Sequence, residues 1–82
     1  MKYQGYRSWN AYNVSLWMNN DERIYKFALE CLRSTLSIRY AVNKFMARYG
    51  YTKTPDGAVY NTRTVRESLL ELRVGIGNNP EE

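Results

Sequence analysis

The chain has one cysteine, Cys31, and no histidine. No intrachain disulfide can form, and no thiolate or imidazole set exists for a structural zinc, which needs about four ligands. A domain of 82 residues with neither staple must hold together by apolar burial, at a size where burial is hardest to achieve. The hydrophobic share of 44% and aromatic share of 15% suit one small core filled with bulky rings. The same two absences remove the base of a Ser-His-Asp or Cys-His site. They also exclude a histidine pH sensor. No metal, no cofactor and no catalytic group are expected, so the chain is read as a non-enzyme. A lone cysteine fits a reducing compartment, and a cytoplasmic location is expected.

Net charge is +4 and the isoelectric point about 9.4, which permits an anionic partner without demanding one. Lys and Arg are spread from Lys2 to Arg73 with no block of five, so there is no basic tail. No apolar run approaches the roughly 18 residues of a membrane span. Residues 1–7 contain no apolar stretch, and no signal peptide is expected.

Periodicity predicts a mainly α fold: a compact bundle of about four short helices, with a Pro-Asp-Gly turn or minimal hairpin before the last helix. Residues 1–77 form one domain and 78–82 a flexible tail. Ser8 to Asn20 carry no charge. At helical spacing Trp9, Tyr12 and Leu16 share a face flanked by Val14 and Trp17, with Ser8 as N-cap and Asn19-Asn20 ending the helix in a left-handed turn. A strand competes here, because Tyr12, Val14, Leu16 and Met18 alternate with polar residues. Asp21 caps a second helix, whose wide apolar face runs from Ile24 to Leu36 and includes Cys31. It reads as a central helix touching neighbours on two sides. Glu22-Lys26 and Lys26-Glu30 are i,i+4 pairs.

The third helix sets Ile38, Ala41, Val42, Phe45, Met46 and Tyr49 inward and stops at Gly50. Residues 34–37 hold caps and poor helix formers, which predicts a break. Against that, an unbroken 4-3 spacing runs from Ile24 to Tyr49; one long helix would set it on a coiled-coil seam, and this heptad-like spacing keeps a homodimer open as a partner. Thr54-Pro55-Asp56-Gly57 is a turn. Thr64-Val65-Arg66-Glu67 reads as a capping box, followed by a helix with Val65, Leu69, Leu70 and Leu72 inward that ends at Gly75.

On this wheel Asn13 falls between Trp9 and Trp17, inside the apolar face. A buried amide is costly unless paired, so Asn13 either bonds a loop backbone and fixes the helix or faces a partner. Asn13-Val14, Leu16-Trp17 and Asn20-Asp21 resemble, in spacing, the Trp-Asn-Val-x-Leu-Trp-x-x-Asn-Asp signature of a family of small bacteriophage and mobile-element proteins. Tyr12 stands where that signature has its first Trp. Thr54-Pro55-Asp56-Gly57 resembles a second element of such proteins. The resemblance implies a phage or mobile-element origin and an accessory role, with no transferable site residues.

Two function classes follow. The first is non-catalytic binding to a host or phage protein, including anti-defence (anti-CRISPR-like) inhibition, through Tyr3, Tyr6, Arg7, Trp17 and Asn20. Tyr and Trp are enriched at interfaces, and Tyr3 and Tyr6 have no evident packing role, whereas Trp9, Tyr12, Phe27 and Phe45 are assigned to the core. The second is nucleic-acid binding of helix-turn-helix type through Arg39, Asn43, Lys44, Arg48, Arg63 and Arg66, whose side chains suit phosphates and base edges. The carboxylate pairs Asp21-Glu22 and Glu67-Glu71 read as a helix start and an exposed helix side.

Overall fold

A computed structural model describes residues 6–77, with side chains through residue 75. Helices α1 (Trp9–Asn20), α2 (Glu22–Arg33), α3 (Ile38–Tyr49) and α4 (Thr62–Gly77) follow in order, which is the expected mainly α bundle. No helix is long and apolar enough to cross a membrane, among the described residues. The predicted tail at 78–82 lies outside them.

Short polar side chains set most of the boundaries. Ser8 Oγ accepts from Ala11 N at 3.1 Å and starts α1. Asp21 serves two helices. Its N–H donates to Trp17 O at 2.9 Å, and its carboxylate accepts from Arg23 N and Ile24 N. Its φ of −88° replaces the predicted left-handed turn, so Asn19 and Asn20 stay helical. Lys26 pairs with Glu22 at 3.0 Å and not with Glu30. The break at 34–37 is present. Ser34 Oγ donates to Cys31 O, Thr35 Oγ1 accepts from Ser37 N, and Ser37 Oγ accepts from Tyr40 N. The seam residues Ala28, Cys31, Val42 and Phe45 therefore fold into the chain's own core. No continuous apolar stripe runs from α2 into α3. Leu36, assigned to the apolar face, sits in this break and is 97% exposed.

Gly50 stops α3 by close approach. A Cβ there would meet Met46 O at 2.5 Å, and the left-handed residue is Tyr51, φ +63°. Residues 51–60 then form the minimal hairpin. Tyr51 N donates to Tyr60 O, Tyr60 N to Thr52 O and Thr54 N to Ala58 O. Lys53 bridges Val59 in antiparallel fashion. Gly57 closes the turn at φ +98°, where a side chain is disfavoured.

The cap of α4 lies earlier than the capping box predicted from Thr64. Asn61 Oδ1 accepts from Thr64 N at 2.9 Å, and Thr64 Oγ1 accepts from Asn61 N at 3.2 Å. This reciprocal pair starts the helix at Thr62. Gly75 does not end it; α4 continues to Gly77.

The core collects Val14 and Met18 from α1, Phe45 from α3, Tyr60 from the hairpin, and Val65 and Leu69 from α4. Its small members Ala28, Cys31, Ala41 and Ala58 let backbones approach. Phe45 is its aromatic centre, with ring centroids 5.2 Å from Tyr49, 5.8 Å from Phe27 and 5.9 Å from Tyr60. Helix α2 touches α1 and α3 as expected and meets α4 as well, while α4 packs mainly on α1 and α3. The rotation of α1 differs from the prediction. Ala11, Val14 and Met18 face inward, Tyr12 and Leu16 are half-buried, and Trp9 is 41% exposed rather than core. With no charge anywhere on the helix, hydrophobicity alone did not mark the buried side.

Candidate functional site

One face of α1 reads the hairpin through side chains. Asn10 Nδ2 donates to Val59 O at 2.9 Å, and Asn10 Oδ1 accepts from Val59 N at 2.8 Å. Its amide thus pairs with the strand edge as a backbone would. One helical turn on, Asn13 Oδ1 accepts from Thr54 Oγ1 at 2.6 Å, and its Nδ2 donates to Asp56 Oδ2 at 2.9 Å. Another turn on, Trp17 Nε1 donates to the same Asp56 oxygen at 2.9 Å. Ala58 N donates to Thr54 Oγ1. Asn13 is 3% and Thr54 4% exposed, so both are paired inside. Asn13 bonds loop side chains, and it is Asn10 that takes the loop backbone. The Trp-Asn segment and the Thr54–Gly57 turn are two halves of one clamp. Hydrogen bonds from Asn13 and then Trp17 hold the Asp56 carboxyl below its ordinary 3.8. The clamp's contribution to stability is therefore present above pH 3.8 and is lost as pH falls through the lower folded value.

The first set of site residues is largely committed to internal bonds. Tyr3 lies outside the described residues. The Tyr6 hydroxyl donates to Glu71 Oε1 at 2.6 Å and lies 2.9 Å from Ser15 Oγ, which donates to the same Glu71 oxygen at 3.0 Å. Tyr6 therefore has a packing role that was not predicted: it ties the segment before α1 to α4. Burial, then the bond to Glu71, raises its hydroxyl pKa. Arg7 reaches Glu67 at 3.5 Å, and Arg63 reaches the same carboxylate at 3.9 Å. Glu67 and Glu71 are thus anchors, not merely an exposed side. Trp17 is held by Asp56, and Asn20 is exposed. Tyr6 and Asn20 line one pocket of about 180 Å³, together with Tyr12, Ser15, Leu16 and Asn19; Arg7 and Trp17 do not.

The second set behaves differently. Between Glu30 and Asp56 the chain has no acidic residue and five cations: Arg33, Arg39, Lys44, Arg48 and Lys53. At its centre is α3, whose outward face exposes Arg39, Tyr40, Asn43, Lys44 and Arg48. Arg39 and Asn43 meet Arg66 of α4 around a groove of about 360 Å³ floored by Ile38 and Val42, with Thr62 at its edge. Neither Arg39 nor Arg66 forms an ion pair among the described residues. Lys44 is exposed outside the groove. Arg48 lies over the rings of Phe27 and Tyr49, 4.8 and 5.6 Å from their centroids. Arg63 is drawn to Glu67. Of six predicted residues, the fold brings three to one groove and leaves three apart. Tyr40, 65% exposed beside Arg39, was not among them. The acid-free stretch was the signal that could have marked it.

Residues 1–72 fit the model described as a family of unknown function, DUF7249. The chain belongs to that family. The matched span takes in both halves of the clamp and both walls of the groove. No curated protein and no solved structure matches this family member.

Cys31 is fully buried, and burial pushes its thiol up to about 11 from 9.0. The native protein is expected to give no colour with an aromatic disulfide reagent at pH 8, and one equivalent per chain in denaturant. Rapid reaction of the native protein would mean that Cys31 is exposed. Among the described residues no three Cys, Asp or Glu side chains converge as a metal site.

Proposed function

We propose that this DUF7249 member is a non-catalytic binding protein of a phage or mobile element, acting in the cytoplasm of a bacterial host. Its ligand in this reading is nucleic acid, bound through the outward face of α3. The carrying observation is an acid-free helix whose Arg39 and Asn43 meet Arg66 at one groove, with neither arginine spent on an internal ion pair. Unpaired guanidinium groups on an acid-free face are what phosphate binding requires. The order α2, four-residue break, α3 supports the same reading, because a helix-turn-helix presents the N-terminal residues of its second helix to base edges. Arg39, Tyr40 and Asn43 hold that position here. The resemblance of the Trp-Asn segment to phage and mobile-element proteins supports the origin.

The test is fluorescence anisotropy with labelled DNA across a salt series. Three phosphates neutralised by Arg39, Lys44 and Arg66 predict a log–log salt slope of about −2 for a single strand and about −2.7 for duplex. No binding at about 50 mM salt, where such contacts are strong, would remove the reading.

A second reading is supported by the pocket that joins Tyr6 to Asn20: a host or phage protein docked there, with an anti-defence inhibitor as its sharpest form. A pull-down from host lysate separates the two. This reading expects a specific protein that the Tyr6→Ala/Arg7→Ala variant loses; if neither form recovers one, it fails.

A further inference from the structure

Resting on the nucleic-acid reading, we propose that the groove between α3 and α4 seats one unstacked base of a single-stranded nucleic acid, with Arg39 and Arg66 holding its flanking phosphates. The volume of about 360 Å³ is at the small end of ligand sites, which span roughly 300–1,000 Å³. Its chemistry is divided as a nucleotide is. Ile38 and Val42 form an apolar floor for the face of a base. Asn43 offers an amide donor and acceptor with no hydrogen-bond partner of its own among the described residues, the pair that reads a base edge. Arg39 and Arg66 stand on opposite walls, from α3 and α4. A guanidinium both pairs with phosphate and stacks on a base. No acidic residue lines the groove. Tyr40, exposed next to Arg39, gives a neighbouring base a ring to stack on.

A duplex cannot use this site in the same way. Its bases are paired and stacked, and extruding one costs a few kcal/mol, on the order of the stacking energy recovered. The groove therefore favours a strand whose bases are already free.

The full-length chain is titrated with labelled oligonucleotides of about ten nucleotides, within the range one small binding surface covers. The probes are single-stranded DNA and RNA, the same DNA as duplex, and an abasic strand of equal length. The single strand is expected to bind about ten-fold more tightly than the abasic one, the gain of seating roughly one base. Asn43→Leu should flatten the preference among homopolymers. Thr62→Trp, at the exposed start of α4, should fill the groove and weaken single-strand binding about ten-fold, with a smaller loss for duplex. Circular dichroism checks that both variants remain folded. Equal affinity for abasic and normal strands overturns the base site and leaves the cationic face standing. So does an equal effect of Thr62→Trp on single strand and duplex. Failure of every nucleic acid to bind overturns both. Displacement by polyglutamate as effective as by a DNA strand overturns the base site in favour of an acidic polypeptide.

Discussion

Replacing Asn13 with aspartate is expected to remove much of the protein's stability at pH 7 and far less of it at pH 4. The side chain keeps its size but loses its Nδ2 donor, and a carboxylate then faces Asp56 in a position that is 3% exposed. An uncompensated buried charge costs about 3–5 kcal/mol, against a total stability of about 5–15 kcal/mol that is lowest for small domains. The sign of the pH dependence follows from the neighbour. Asp56 and burial both raise the folded pKa of a carboxyl at position 13 above its unfolded value. The penalty is therefore absent below about pH 4 and grows as pH rises. Urea unfolding followed by tryptophan fluorescence at the two pH values measures it. Asn13→Leu is the companion variant. It leaves Thr54 and Asp56 without their partner and is expected to cost about 1–3 kcal/mol, without the pH reversal. An Asn13→Asp variant as stable as wild type at pH 7 would mean that α1 does not clamp the hairpin through this residue.

The second large effect is at the aromatic centre. Phe45 is fully buried and touches rings from α2, α3 and the hairpin. Phe45→Ala is expected to cost about 3–5 kcal/mol, the lost transfer energy plus a cavity that fixed rings cannot close. With no disulfide and no metal to compensate, the variant should show a urea midpoint near zero. Phe45→Leu, which fills much of the volume, should keep a cooperative transition at a lower midpoint. A loss below about 1 kcal/mol for Phe45→Ala would place it outside the expected range for a core ring and remove Phe45 as the centre of the core.

Much of the fold was legible because its boundaries are local. Ser8, Asp21 and Ser37 cap helices within three residues of themselves, and the polar run 34–37 breaks the chain where its composition predicts. The rotation of α1 was not legible. Its buried face includes Asn13 and Ser15 and its exposed side includes Trp9, so polarity and burial are decoupled along it. What decides the rotation is the hairpin, bonded to Asn13 across 41 and 43 residues of chain, a pairing no local pattern contains. Tyr6 is a similar case, since its partner Glu71 lies 65 residues away. The candidate groove was half legible. Arg39, Asn43 and Arg66 were chosen for their chemistry, but Arg48 and Arg63 look the same in sequence and are engaged elsewhere in the fold. Counting charge over the whole chain diluted the feature that distinguishes α3, a run of cations with every acidic residue lying outside it.

In the proposed nucleic-acid reading, binding resides in the local field of the α3 face and not in the net charge. Two double charge reversals of equal net charge separate these. Arg39→Glu/Arg66→Glu acts at the groove, while Arg23→Glu/Lys26→Glu acts on the exposed side of α2. Anisotropy with one labelled single strand at fixed salt is the measurement. The groove pair should weaken binding at least about thirty-fold, and the α2 pair about three-fold or less, as screening over a Debye length requires. Equal losses from the two pairs would contradict the account.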